Sequence, residues 1–379
     1  MTRLHTRLAA ALSVPLVLTA CGSVSSAAAG LEQDAAAANA ALAKAEGIGV
    51  VVRFDDPDGD LEQALQEGPD GLSADLAEVL VGSRVDVRLA AKAGRTLGDQ
   101  PDPGTPLGET LRWTDSALTL STSDADLLSW RTVDGVLYVS SDLAEVERVA
   151  AAGGSPLSLQ DEVAGAPAPV PELHDALRDG QAVSVPIADL VESLGELTGQ
   201  DAEAYSEGLP DDLLRELRAA IEPHARLRDL GSDDGVRTVS VEVDVKRLLQ
   251  AVASTAGTGV ADAADLGGLS DETVSGTITI EDGHYRRLEL PLSELVDLVE
   301  DPAVETPDLG DSALVVELDD SVEQVEAPTR VAELDLLEML GNASGPQTAL
   351  EGSAPDAALL ACFEQAETTD ELAACGEPA

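Results

Sequence analysis

The chain has few cationic side chains and very few aromatic rings. Its 379 residues include 22 Lys and Arg against 72 Asp and Glu, so the formal net charge is −50 at pH 7. Such a charge repels the phosphates of nucleic acid and leaves no basic patch for anionic phospholipid. Aromatic residues make up only 2% of the sequence, too few for a stacking platform that binds sugars or bases. We therefore expect no nucleic-acid partner.

Motifs for catalysis are also lacking. The sequence contains no HExxH zinc motif, no P-loop and no GxSxG nucleophile elbow. The histidines His174, His224 and His284 stand far apart, and we predict a solvent-exposed or strand-surface position for each. Most of the carboxylates belong to a solvated face, so no acid/base pair can be singled out. We predict a protein that is not an enzyme and needs no cofactor.

One acidic segment has part of the pattern of a calcium loop. Asp56, Asp58, Asp60 and Glu67 occupy positions 1, 3, 5 and 12 of such a loop. Position 6 is Leu61, where the loop needs glycine for its sharp turn. The sequence therefore favours a polar turn in which Asp60 caps a short helix, and we predict no metal site.

The N-terminus has the three parts of a secretory signal. Arg3 and Arg7 precede an uncharged run, 8–20, that ends in small residues. This run is shorter than the roughly 20 residues that a membrane-spanning helix needs. We predict that residues 1–20 are a signal peptide and are removed on export.

The cleavage site looks like a lipobox, because Leu18-Thr19-Ala20 is followed directly by Cys21. In a lipobox the thiol receives diacylglycerol before cleavage, here between Ala20 and Cys21. Two acyl chains anchor a protein stably. We therefore predict lipidation of Cys21 and attachment to the cell membrane on its extracytoplasmic face; the alternative is an ordinary signal peptide with a chance cysteine.

The two remaining cysteines, Cys362 and Cys375, form an even pair in an oxidising compartment. In one unbroken helix they would lie about 20 Å apart, beyond the reach of a disulfide. Residues 368–371 have capping-box spacing and can start a second helix that runs back. We predict a helical hairpin tail at 356–379 linked by this disulfide; the alternative is two unpaired thiols.

Short segments of alternating apolar residues recur along the chain, as expected of antiparallel strands with one buried face. They lie at 48–54, 85–89, 118–120, 136–138, 239–243, 278–280, 288–290 and 314–318. Helical segments are predicted at 35–45, 142–151, 210–221 and 331–340, and Asp-Gly turns at 134–135, 234–235 and 282–283. The pattern predicts an α+β fold in which curved antiparallel sheets carry helices on their concave face.

One unit repeats at 183–194, 241–252 and 288–299: a strand ends at Pro or Asp and an amphipathic helix begins at once. Helices that start at strand ends pack against one face of the sheet. The residues predicted to point inward, as core filling or as pocket lining, are Ile187, Leu190, Leu194, Leu248, Val252, Leu295 and Val299.

The repeats suggest two related lobes, at 35–155 and 175–340. Segments rich in Gly, Pro, Ser or Ala separate them from the rest of the chain. These are a lipidated tether at 21–34, a Pro-rich linker at 156–174 and a second linker at 341–355.

Several phrases of the sequence, at 37–46, 50–54, 133–139, 281–290 and 325–328, resemble hypothetical lipoproteins of high-GC Gram-positive bacteria. More loosely, the pattern is similar to the LppX/LprG-like lipoproteins and the lipoprotein carrier LolA. This resemblance implies a strongly curved antiparallel sheet that holds helices in its concavity and leaves an apolar pocket for acyl chains. It also implies handling of lipid or lipoglycan.

Two functions follow as hypotheses. We favour a non-catalytic envelope protein that binds another envelope protein or a wall component through its surface. The alternative is a lipid or lipoglycan carrier. An internal apolar cavity of several hundred Å³, lined by Leu, Val and Ile, favours the carrier, and a filled interface between sheet and helices favours the first.

The lipobox can be tested directly. Because diacylglycerol is attached to a thiol, Cys21→Ser should leave the protein unlipidated and largely absent from membrane fractions. Lipid labelling and cell fractionation measure this, and a Cys21→Ser protein that keeps its label and its membrane association would show that the cysteine is not the anchor.

Overall fold

The computed structural model describes residues 29–68, 71–92, 94–97, 113–154, 170–187, 225–244, 273–297 and 307–333, with a few isolated residues between them. The predicted signal peptide, Cys21, Cys362 and Cys375 lie outside these ranges, as do the helix predicted at 210–221 and the tail at 356–379.

The described residues form twelve strands and six helices. The strands are β1 Gly47–Asp55, β2 Arg84–Ala91, β3 Thr114–Ser121, β4 Asp126–Val133, β5 Val136–Ser140, β6 Ala182–Pro186, β7 Ala225–Asp233, β8 Val236–Asp244, β9 Thr273–Glu281, β10 His284–Pro291, β11 Ala313–Asp319 and β12 Val331–Glu333. The helices are α1 Ala29–Lys44, α2 Asp60–Glu67, α3 Ala74–Val81, α4 Leu143–Ala152, α5 Val170–Arg178 and α6 Leu292–Asp297. The predicted α+β class is confirmed.

All twelve strands belong to one sheet, in the order β12-β6-β5-β4-β3-β2-β1-β11-β10-β9-β8-β7. Every neighbouring pair is antiparallel except β12 with β6, which is parallel. The strands of the two predicted lobes meet twice, where β1 pairs with β11 and where β5 pairs with β6. The sheet therefore continues without a break from one predicted lobe to the other.

The predicted Asp-Gly hairpins are confirmed. Asp134 and Gly135 have φ of 54° and 77°, and Asp282 and Gly283 have 51° and 78°. Two successive left-handed residues define the type I′ turn, whose twist matches that of the strands it joins. All eight predicted strand segments also lie in strands.

The helix predicted at 331–340 is wrong at its start, since Val331–Glu333 is a strand. The apolar spacing there is compatible with a helix, but the backbone of β6 offers unpaired groups at the edge of the sheet. Ala182 N donates to Arg330 O at 2.9 Å, and β12 pairs with β6 from that point. Tertiary pairing overrides the local propensity.

The two faces of the sheet differ in character. One face, here called the helix face, carries the main hydrophobic core, in which α1, α2 and α6 pack against β8 to β11. Leu31 of α1 and Val316 of β11 are fully buried there. The opposite face, here called the polar face, carries the ion pairs described below.

A segment without regular structure, residues 320–330, crosses the polar face from β11 to β12 and is here called the strap. Asp320 begins it and pairs with His284 and, at 3.0 Å, with Arg286 of β10. Val325 is buried against Ala90 and Ala117. The strap thereby joins a central strand to the far edge of the sheet.

Gly47 lets the strap approach the sheet closely. A Cβ atom at this position would lie 2.6 Å from Leu89 O and would also meet Val322 O, both of which are backbone atoms. We predict that Gly47→Ala lowers the free energy of unfolding by about 1 to 3 kcal/mol through overpacking, as measured by urea denaturation.

Gly49→Ala is the matched control, because the nearest atom to a Cβ there would be a methyl group of Val322, at 3.3 Å, with Asp319 at an ordinary contact distance of 3.7 Å. A methyl group can shift where two carbonyls cannot, so the control should lose less stability. Equal losses in the two variants would mean that the strap does not limit position 47.

Candidate functional site

An uninterrupted apolar row crosses seven adjacent strands on the helix face. Strand pairing sets the members of this row directly opposite one another. Because side chains alternate between the two faces with a period of two, all seven point to the same face. In order across the sheet they are Leu318, Val50, Val87, Leu118, Trp130, Val139 and Val183.

The two ends of this row are buried and its middle is open. Leu318 is 8% exposed and Val183 is 5% exposed, whereas Leu118 and Trp130 are 39% and 51% exposed. Leu89 and Leu128 lie in the neighbouring rows of the same face and are each 38% exposed. These four residues of β2, β3 and β4 are here called the apolar patch.

Apart from Asp126, which begins β4 at a bulge, the helix face of β1 to β5 carries no charged side chain among the described strand residues. The register places the other charged residues of these strands on the polar face. They are Arg53, Asp55, Arg84, Asp86, Arg88, Asp115 and Arg131. In a chain of formal net charge −50, an exposed apolar surface of this kind is typical of a site that binds a ligand or another molecule.

The polar face is neutralised by ion pairs between strands. Arg53 Nη2 lies 3.0 Å from Glu317 Oε1, and Arg287 Nη2 lies 3.0 Å from Asp55 Oδ2. These side chains are roughly one-third to two-fifths exposed, so each pair contributes little to stability. They keep this face solvated.

The described helices pack around the apolar patch rather than over it. Helices α1 and α6 contact β9 and β10, α3 contacts β1, and α4 contacts β4. Asp142 caps α4 by accepting from Glu145 N at 3.1 Å, and Asp142 N donates to Asp126 O at the start of β4. Helix α4 is therefore held at one end of the patch.

Glu145 fixes α4 against the turn between β3 and β4. Its buried carboxylate accepts from Arg148 Nε at 2.6 Å and from Thr122 Oγ1 at 2.7 Å. The hydrogen bonds from Arg148 and then Thr122 lower the pKa of Glu145 from its usual 4.5 to about 2. A buried, paired carboxylate with a low pKa is structural here, because it is fully ionised and already satisfied.

Two cations lie beyond the other end of the patch. Lys92 Nζ bridges Asp115 and, at 2.7 Å, Asp134. The guanidinium of Arg95 lies 3.3 Å above the centre of the Trp113 ring, and its buried Nη1 has no hydrogen-bond acceptor among the described residues. Trp113 pairs with Lys92 at the end of β3, so strand alternation assigns it to the polar face.

The structure corrects the interpretation of the acidic loop. Asp56, not Asp60, caps α2: its carboxylate accepts from Leu61 N at 3.1 Å and from Glu62 N at 3.0 Å. Ser312 Oγ donates to the same carboxylate at 2.7 Å. Partial burial raises the pKa of Asp56, but these hydrogen bonds outweigh it, and the pKa lies below its usual value.

Other kinds of site are not formed by the described residues. They contain no group of three or more His, Cys, Asp or Glu side chains placed to hold a metal ion. None of their helices is long and apolar enough to cross a membrane. An open depression beside the β7–β8 turn, lined partly by Leu230 and Asp233, lies at the far edge of the sheet from the apolar patch.

Of the residues predicted to point inward, the structure describes Ile187 and Leu295. Ile187 directly follows β6, is half-buried and donates its backbone N–H to Gly135 O at 3.0 Å. Leu295 packs from α6 against the main core. The two lie at opposite ends of the sheet and are not brought together; Leu190, Leu194, Leu248, Val252 and Val299 lie outside the described residues.

Two of the histidines also lie within the described residues. His284 is on a strand surface beside Asp320, as predicted. The side chain of His174 is only 10% exposed on α5, so the predicted exposed position is wrong for it. Neither histidine contacts the apolar patch in the hydrogen bonds and ion pairs of the described chain.

The chain is similar to two solved mycobacterial structures. One is the lipoprotein LppX of Mycobacterium tuberculosis, at 10% identity over 78% of this chain and 97% of that one, with a TM-score of 0.28. The other is LprF from Mycobacterium bovis, at 10% identity over 80% and 99%, with a TM-score of 0.30. No protein-family model and no curated protein matches the chain.

The low pKa of Glu145 predicts a specific pH dependence. A carboxylate whose pKa falls from 4.5 to about 2 on folding stabilises the protein above pH 4.5, and that contribution is lost as the pH falls towards 2. Glu145→Gln should therefore lower Tm most at neutral pH, and the difference from wild type should shrink between about pH 5 and pH 2.

Glu172→Gln on α5 changes an exposed carboxylate and serves as the control, with little effect on Tm at any pH. A difference between wild type and Glu145→Gln that stays constant down to pH 2 would contradict the assignment of the low pKa to this hydrogen-bonded carboxylate.

Proposed function

We propose that this protein is a non-catalytic lipoprotein that carries lipid or lipoglycan on its apolar patch while Cys21 anchors it to the outer face of the cell membrane. The observation that carries the proposal is the exposed apolar patch. It favours the lipid carrier over the envelope protein that binds another protein or a wall component through its surface, because the exposed side chains of the patch are apolar.

The free energy available at the patch supports an acyl ligand. Fully burying a side chain such as Leu contributes roughly 1.5 to 3 kcal/mol, and the four patch residues are 38% to 51% exposed. Covering them would therefore contribute about 1 kcal/mol each. The partly buried Val87 and Val139 extend the same surface on either side.

An acyl chain also matches the chemistry of the surface. Hydrocarbon needs no hydrogen bonds, so an apolar patch can cover it without leaving polar groups unpaired. A protein partner would bring backbone and polar side chains that need acceptors and donors across the interface. The proposed lipid anchor at Cys21 would also hold the patch close to a membrane as a source of ligand.

The proposal predicts that one charge on the patch blocks lipid uptake. Leu118→Asp places a carboxylate in the middle of the patch, and desolvating it should weaken the uptake of a fluorescent diacylglycerol by about tenfold or more. Uptake is measured as transfer of the labelled lipid from neutral vesicles to the purified protein.

Thr119→Asp is the matched control, because the adjacent residue of β3 faces the opposite side of the sheet. It adds the same charge and should leave uptake within about twofold. Equal loss in both variants, or no uptake by the wild-type protein, would overturn the lipid carrier.

A further inference from the structure

Carboxylates lie at both ends of the strand that carries Trp130. Asp124 is in the turn before β4, and Asp134 is in the turn after it. Their side chains are 73% and 82% exposed. A ligand lying along β4 on the apolar patch therefore has an exposed negative charge near each of its ends.

Two cations near the ends of β4, Arg148 on α4 and Lys92 on the polar face, are already neutralised. Arg148 lies 2.6 Å from Glu145 and 3.9 Å from Asp124. Lys92 bridges Asp115 and Asp134. Because each pairs with two carboxylates, neither offers net positive charge to a ligand.

The polar groups on the patch face near the Asp134 turn are hydroxyls. Ser116 and Thr132 pair directly with each other across β3 and β4, in the same row as Leu89. They continue the helix face beyond Leu118 and Trp130 towards the Asp134 turn. Thr132 is 5% exposed and Ser116 is partly buried, so a ligand whose chain covers the patch would meet the uncharged Ser116 hydroxyl at this end.

We infer that the apolar patch selects lipids with an uncharged polar group and excludes those with a phosphate or carboxylate. This inference rests on the proposed lipid binding and names the class of lipid. The net charge of −50 repels anions at long range, and an apolar surface screens the nearby carboxylates less than water does.

Dioleoylglycerol and dioleoyl phosphatidic acid test the inference, since they have the same acyl chains and differ by one phosphate. Each competes with the fluorescent diacylglycerol for the full-length protein. At about 0.01 M salt, where the screening length is about 30 Å, phosphatidic acid should compete about tenfold less well. At about 1 M salt the gap should narrow, because charges are then screened within about 3 Å.

A pair of variants separates local charge from overall charge. Ser116→Arg puts a cation on the patch face and should bring the binding of phosphatidic acid closer to that of dioleoylglycerol. Thr279→Arg makes the same change in net charge on the polar face of β9 and should leave the gap unchanged. The salt dependence of the wild-type protein tests, without any variant, whether the discrimination is electrostatic.

Equal binding of the two lipids at low salt would overturn charge selection and leave lipid binding intact. If Arg95→Gln then removed the binding of phosphatidic acid alone, the headgroup would lie at the Arg95 guanidinium. If neither lipid bound, the proposed function would fail, and this inference would fail with it.

Discussion

The alternation of side chains along β1, β2 and β3 is the constraint on which the rest of the structure depends. It places Arg53, Asp86 and Asp115 on one face and Val52, Val87 and Leu118 on the other. A slip of one residue in β1, β2 or β3 would bring charges into the apolar row and apolar side chains among the ion pairs. In so acidic a chain, register alone keeps a large apolar surface free of charge.

That surface is used in two ways. Over β8 to β11 it is covered by α1, α2 and α6 and forms the core. Over β2 to β4 the same face carries the apolar patch, and the strap crosses behind it, with Val325 buried against Ala117. The sheet is thus stabilised on its polar side at the place where its apolar side is open, so the strands that carry the exposed apolar patch are still held firmly.

Local sequence signals predicted much of the fold. The Asp-Gly turns and the alternating apolar segments identify hairpins and strands because their cause lies within a few residues. Strand β12 was missed because its cause is the distant edge of β6. The apolar patch was missed for a related reason: Leu118 and Val316 look alike as alternating residues, and which of them is covered depends on where the helices lie. One signal for the patch was available in the sequence. In a chain of such high negative charge, a strand that keeps every charged residue on one face and leaves the other face free of charge is unusual.

The pairing of β1 with β11 has a consequence for how the protein is made. Arg53 and Glu317, which bond across that pair, are 264 residues apart in the chain. The middle of the sheet therefore cannot close until nearly the whole polypeptide is present, and contacts of such long range slow folding. A chain that emerges N-terminus first would wait with the edge of β1 unpaired, a surface prone to aggregation. Its high negative charge would keep the waiting chains apart in solution.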